Sequence, residues 1–346
     1  MWHAFEARGA LAQSRSRMLP MNTTRRHSLA ALAALALVAL SSPALAQAFP
    51  TRPVRFVVPY PPGGPLDTVA RLLAQRVGAQ WSQPVVVENI AGAGGNIGAA
   101  AVAKAAPDGH TLLMGAVATH AINPSLYASM PYDAAKDFIA VTQVASTPNV
   151  LVVNPQVPAK SVAELVALAR AKAGGLNYGS GSTGSAGHLA GELFSSLAGV
   201  RMVHVPYKGA PAAMQDLIGG RVDLMFDNLA SSLSQVKAGR IRALAVTTAK
   251  RTPLAPELPT LVESGLPGFD ISTWFGIFVP AGTPKAAVDR IHAEFTRALA
   301  EPEVREKLVG MGADSVGSTP EAFAAFVAAE AAKYAKLVKA SGAKAD

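Results

Sequence analysis

The chain of 346 residues contains no cysteine, which removes disulfides, thiolate metal sites and cysteine nucleophiles together. Its compartment stays open on that ground, because a chain this long can bury a core that needs no covalent staple in an oxidising space. Aromatic residues are sparse, at 6%, and no lysine or arginine stripe is interleaved with them, so nucleic acid is not an expected partner. No Gly-x-x-x-x-Gly-Lys-Ser/Thr phosphate loop occurs, and no Gly-x-Ser-x-Gly nucleophile elbow. Gly179-x-Gly181-x-x-Gly184 satisfies the dinucleotide fingerprint literally, yet the acid expected about twenty positions on is missing, so no nucleotide cofactor is expected. Beyond residue 46 the histidines are His110, His120, His188, His204 and His292, with no His-x-x-x-His pair. Each reads as a surface or packing residue, with His120, in a loop after a strand, the candidate exception. Paired carboxylates at short spacing are missing too, and no metal site or catalytic machinery is visible.

Half of the residues are hydrophobic, a globular composition. The net charge of +8 is partly terminal: without the five arginines and one acid of residues 1–46 it falls to +4. That N-terminal part carries Arg25-Arg26, a twelve-residue apolar run over 29–40, and Ala44-Leu45-Ala46 before Gln47. A charged start, a short apolar run and a small-x-small site predict a cleaved secretory signal, the run being too short to span a bilayer. Cleavage after Ala46 would leave 300 residues. Ser28 and Ala30 depart from the twin-arginine pattern, which favours the general export route, and Met21 or Met18 is a candidate initiator.

The stretch 54–73 organises the remainder of the chain. A β-rich run over 54–58 is stopped by prolines, turned through Gly63 and Gly64, and followed by helical apolar spacing. Strand, glycine-rich loop and helix repeat at 85–106, and a third strand over 111–114 leads to a loop at Ala118-Thr119-His120. Strands separated by helices predict parallel pairing through right-handed crossovers, a doubly wound α/β unit. Near Ser146-Thr147-Pro148 the pattern restarts, with a strand over 150–153, a capping box at Ser161 and Glu164, and a small-residue loop over 179–185 before the next helix. Alternation continues to Val246, predicting a second α/β unit. Two late helices, opened by Thr283-Pro284 and Thr319-Pro320, are expected to return to the first unit, with crossings between units near residues 147 and 272. The expected lobes are therefore 47–147 plus 273–346, and 148–272, after an N-terminal extension and signal over 1–46.

Strand-end loops rich in amides and hydroxyls recur: Gly63-Gly64, Gly92 to Gly95 including Gly94, Thr119, Ser180 to Ser185 including Thr183, Tyr207-Lys208-Gly209 and Asp227-Asn228. Such loops on facing lobes would enclose a small acid. Each charge-assisted hydrogen bond to a carboxylate is worth about 1.5–3 kcal/mol before offsets, and a helix N-terminus adds roughly 0.3–1. Asp67 is out of place beside an anion. It reads either as a cap for the following helix or as an acceptor for an amino or hydroxyl group of the ligand.

Tyr-Pro-Pro-Gly-Gly-Pro-Leu-Asp-Thr-Val-Ala-Arg-Leu-Leu, Val-Val-Val-Glu-Asn with Gly-Ala-Gly-Gly-Asn-Ile-Gly, Pro-Asp-Gly-His-Thr-Leu-Leu and Val-Pro-Tyr-Lys-Gly, in this order, closely resemble the Bug-type periplasmic solute receptors of tripartite tricarboxylate transporters. The resemblance runs from about Phe49 to the C-terminal helix. It implies a type II periplasmic binding-protein fold, two doubly wound lobes joined by a two-crossing hinge, with no catalysis and no cofactor. It also implies delivery of a small organic acid to membrane permease subunits, by a receptor expected to be monomeric. Mapped onto this chain, the family's ligand contacts point to Pro62, Gly63, Gly64 and Asp67, with Ser182, Ser185, Tyr207 and Asp227 opposite; the loops add Gly94, Thr119, Thr183 and Lys208. At Pro65-Leu66 the family commonly has Gly or Ser and then Thr, so one amide donor and one hydroxyl are missing here. A sensory receptor of the same fold is the alternative, and a periplasmic hydrolase a remote one.

Overall fold

A computed structural model describes residues 49–172 and 174–345; the expected signal lies outside the described residues. β1 (Val54–Val58) is an almost wholly buried apolar run, the pattern of a strand covered on both faces. β2 (Val85–Asn89) and β3 (Thr111–Ala116) flank it, both parallel to it, with Val54 opposite Val85 and Phe56 opposite Leu112. The helices Pro65–Trp81 and Asn96–Ala103 make the crossovers. Parallel pairing aligns the carboxyl ends of all three strands, which places the loops after Val58, Asn89 and Ala116 along one edge.

β4 (Phe138–Val153), β5 (Leu176–Ser180), β6 (Met202–Pro206), β7 (Leu224–Asn228), β8 (Arg242–Val246), β9 (Ser272–Pro280) and β10 (Asp314–Ser315) complete the sheet. Its order is β2-β1-β3-β9-β4-β7-β5-β6, with β8 and β10 also paired to β4. β5 runs parallel to β6 and β7, so the second group of strand ends is aligned in the same way.

The expected restart near Pro148 is corrected by the structure: β4 is one strand of 16 residues running straight through it. Residues 138–148 pair with β9, and 149–153 with β7 and β8. Proline lacks the N–H a ladder needs, and here it falls where the strand changes neighbours, so its position no longer breaks the strand. At the same level Thr247 ties the two passes of chain together. Its amide donates to the Asn149 carbonyl at 2.9 Å, and its carbonyl accepts the Ile271 amide at 2.9 Å.

Four apolar clusters cover the two faces of each half of the sheet. In the first half, Val69, Leu73 and Val77 of the Pro65–Trp81 helix pack with Phe56, Met114, Ile291 and Phe295, and Leu113, Phe278, Phe323 and Tyr334 pack on the other side. In the second, Phe194, Tyr178 and Phe226 fill one side and Met214, Leu217 and Met225 the other. The late part holds three helices, Lys285–Ala300, Pro302–Gly310 and Pro320–Ser341, where two were expected. Thr319 caps the last through a bond from the Ala322 amide, as its sequence suggests. Thr283 does not cap the first; its hydroxyl donates to the Pro280 carbonyl at 2.7 Å, and the N-cap position falls to Pro284.

Candidate functional site

The loop after β1 delivers Gly64 to the N-cap position of the Pro65–Trp81 helix, with φ −77° and ψ 171°. Proline at the first helical position has no N–H, so the donors of this turn are the amides of Gly64, Leu66 and Asp67. Among the described residues none of the three has an acceptor in the chain. Gly63 differs. Its amide donates to the Asp67 carboxylate at 2.9 Å, which draws the turn closed. The same carboxylate takes Arg71 on both oxygens, at 3.0 and 2.9 Å, and Asn89 Nδ2 at 2.9 Å. The Arg71 guanidinium, with the Gly63 amide and Asn89, holds Asp67 down at about 2 against the opposing effect of burial. Asp67 is therefore a neutralised brace under the loop, closer to the cap reading than to an open acceptor, although Gly64 itself occupies the N-cap. Pro62 and Gly63 are exposed beside it.

The neighbouring strand ends bring a set of residues that sequence reasoning passed over. Asn96 Oδ1 accepts from Asn123 Nδ2 at 2.7 Å and from the Tyr132 hydroxyl at 2.9 Å, and Asn123 also donates to the Gly94 carbonyl. Gly94 (φ +63°) and Gly95 (φ +98°) leave room for two phenols: a Cβ on Gly94 would lie 3.0 Å from the Tyr127 hydroxyl, and one on Gly95 3.2 Å from that of Tyr60. Neither hydroxyl has a partner among the described residues, and burial raises the Tyr60 pKa, keeping its proton in place as a donor. The sequence signal was slight: Tyr60 directly precedes the proline brace, and Asn123-Pro124 reads only as a helix start. Thr119 lies beneath this surface, fully buried, its hydroxyl engaged with Ala116 and within 2.8 Å of His120 Nδ1. His120 stacks on Phe278 at 3.7 Å, and burial depresses its pKa to about 3, so the ring is neutral.

Opposite, the loop after β5 leads into the Ala186–Ala198 helix, capped by Ser185, whose hydroxyl accepts the His188 amide and donates to the Ser182 carbonyl. Ser182 and Thr183 are exposed, and their hydroxyls have no partner among the described residues. This loop meets the first half of the molecule at Gly184 (φ +75°), where a Cβ would stand 2.3 Å from the Leu126 side chain. The Tyr207 hydroxyl donates to Asp216 at 2.8 Å, while its amide donates to the Ser180 carbonyl. Lys208 is exposed. Asp227 is buried at the end of β7, with Ser231 and Ser232 donating to it; burial pushes its pKa up, and those bonds with the Asn228 amide partly offset the rise.

One pairing was invisible in the sequence. Ser180 Oγ lies 2.7 Å from His204 Nε2, a serine–histidine pair formed across adjacent strands. Ser180 has no accessible surface, and its hydroxyl donates to the Ser182 carbonyl at 2.9 Å, so the pair fastens the loop and presents no nucleophile.

This chain is similar to solved proteins along nearly all of its described length. Rpa4515 of R. palustris, solved with adipate, is 41% identical over 85% of this chain and 98% of its own, with a TM-score of 0.75. The periplasmic binding protein BugD is 36% identical over 86% and 99%, with a TM-score of 0.70. MatC of Rhodopseudomonas palustris, solved with bound malate, is 35% identical over 84% and 100%, with a TM-score of 0.70. The fold is thus that of the type II periplasmic binding proteins, two lobes of the α/β class. The model of the tripartite tricarboxylate transporter family receptor matches residues 69–343, and the chain belongs to that family.

Proposed function

We propose that this chain is a periplasmic solute receptor that encloses a small carboxylated compound between its lobes and delivers it to the permease of a tripartite tricarboxylate transporter. The observation that carries the reading is the turn at Gly64, Leu66 and Asp67, three amides without acceptors among the described residues, at the positive end of a 17-residue helix. Exposed Ser182 and Thr183 on the second lobe supply hydroxyls from the other side. The lobes are taken as 47–147 plus 273–346, and 148–272. Ligand contacts are assigned to Pro62, Gly64 and Gly94, with Ser182, Thr183, Ser185 and Lys208 opposite. Gly63, Asp67, Thr119, Tyr207 and Asp227 support them. Tyr60 and Tyr127 join the contact set. Relatives with adipate and malate favour a dicarboxylate, and BugD, a periplasmic protein, favours that compartment, reached by the cleaved signal of residues 1–46.

Thermal-shift screening against mono-, di- and tricarboxylates tests the reading. Hits raise the melting temperature and are recovered unchanged; turnover of any hit, or a panel without hits, overturns it. Co-purification of permease subunits with the liganded protein tests delivery.

A further inference from the structure

His188 and His204 lie 16 residues apart in sequence, yet their rings stack 3.8 Å apart at an interplanar angle of 15°. Each holds one end of the 180–185 loop. The Gly184 amide donates to His188 Nδ1 at 3.0 Å, and His204 Nε2 lies 2.7 Å from Ser180 Oγ. Ser180 has a single hydroxyl hydrogen, directed to the Ser182 carbonyl at 2.9 Å, so His204 donates through its Nε2–H. At the other end the roles reverse. Nδ1 of His188 must carry a lone pair to accept an amide, which leaves its proton on Nε2.

We propose that His188 and His204 are positioning residues that clamp the 180–185 loop and make ligand affinity acid-sensitive, an inference that rests on the reading of this loop as a ligand contact. Protonating His188 puts a hydrogen on Nδ1, directly against the Gly184 N–H. The bond is lost and two donors face each other. Protonating His204 leaves its bond to Ser180 intact, but stacks a cation on the neighbouring ring. The groups facing the pair are few. From its own helix Glu192 Oε1 lies 3.8 Å from His188 Nε2; from β5 the Tyr178 ring stacks at 6.4 Å on His188 and lies tilted at 5.0 Å from His204, with its hydroxyl donating to Glu192. Glu192 favours the charged form of His188, and burial outweighs it, so the His188 pKa is lowered. Burial, and then His188, bring that of His204 down to about 4.

A ring freed by loop detachment regains its ordinary pKa of about 6.5, so the detached state binds protons that the clamped state refuses, and clamping weakens as pH falls below that value. One such ring can shift the equilibrium by up to about tenfold at pH 5.5.

The test titrates adipate into the purified protein at pH 7.5 and 5.5, for the native chain and for His188→Asn, His188→Phe and His204→Gln. Asparagine presents an acceptor at the Nδ1 position and does not titrate, and comparison with it removes the ligand's own protonation. His188→Asn should match the native affinity at pH 7.5 and lack about three- to tenfold of the acid loss. His204→Gln should keep neutral affinity, and His188→Phe should bind weakly at both pH values. An identical acid loss in His188→Asn, or native affinity in His188→Phe, overturns the inference. The hydrogen-exchange protection factor of the Gly184 amide, measured without ligand, gives a second reading: it should fall at pH 5.5 in the native chain and hold in His188→Asn. Adipate that binds at neither pH counts against the carboxylate reading, whereas an unchanged Gly184 protection factor counts against the clamp.

Discussion

The Gly63 amide donates to the Asp67 carboxylate at 2.9 Å, and this bond resolves how an acid can sit beside a turn suited to anions. With Arg71 on both oxygens, Asp67 presents a compensated pair to its surroundings rather than a bare negative charge. Its role is to shape the turn whose remaining amides stay open.

Replacing Asp67 by asparagine should lower stability at neutral pH by about 2 kcal/mol, the value of a carboxyl displaced from 3.8 to about 2. A depressed folded-state pKa contributes stability above the unfolded value and loses it as pH falls through the folded one. Urea denaturation of both proteins should therefore show a gap that is full above pH 5 and closes between about pH 4 and 2. A gap independent of pH would assign the loss to packing.

Gly64→Val tests the open amides without disturbing the fold. Its backbone is in the extended region, and a Cβ there meets only the Pro61 carbonyl oxygen at 3.8 Å. The melting temperature should stay within about 2 °C of native, while the branched side chain shields the turn and carboxylate affinity, read by calorimetry, drops at least about tenfold. Native affinity would remove the turn from the site.

Two tyrosines, Tyr132 and Tyr127, separate by their partners. Tyr132→Phe removes a hydroxyl bonded to Asn96 and within 2.8 Å of the Thr119 carbonyl, and should cost about 1–1.5 kcal/mol of stability. Tyr127→Phe removes a hydroxyl with no partner among the described residues and should leave stability within about 0.5 kcal/mol, while ligand affinity falls about five- to tenfold. Equal effects on stability and binding in both variants would show that the Tyr127 hydroxyl is not a ligand contact.

Gly184→Ala places a methyl group against Leu126 at a left-handed position that costs roughly 1–2 kcal/mol for any residue but glycine. The obstruction lies where the two halves meet, so small-angle scattering should show a larger radius of gyration in the presence of ligand than the native complex has. A ligand-bound radius equal to native would place the contact outside the closing motion.

Much of the architecture was legible because it is written locally. The β-branched runs at Val54 and Val85, the Ser161 cap on the Glu164 amide and the Thr319-Pro320 helix start all form as their residues predict, although the Glu164 carboxylate takes the Lys160 amide instead of closing a capping box on Ser161. What escaped depends on neighbours far away in sequence. Pro148 reads as a break, and only the exchange of β9 for β7 shows why a strand can carry it. Tyr207 reads as a loop hydroxyl with its proton free, whereas that proton is given to Asp216 on the next helix. Gly63 reads as an open amide, yet the side chain four residues on takes it. His188 and His204 have no histidine three or four positions away and read as isolated, whereas β6 and the helix before it bring them face to face.

The unbroken course of β4 has a mechanical meaning. A receptor whose halves were joined by slack linkers would close by free rotation, with no restoring force. Here the halves share one backbone ribbon, braced at Asn149 by Thr247 and carrying register shifts at residues 140–145 and 151–152. Any change in the angle between the halves must twist this ribbon, so the sheet itself opposes the motion as a torsion spring does.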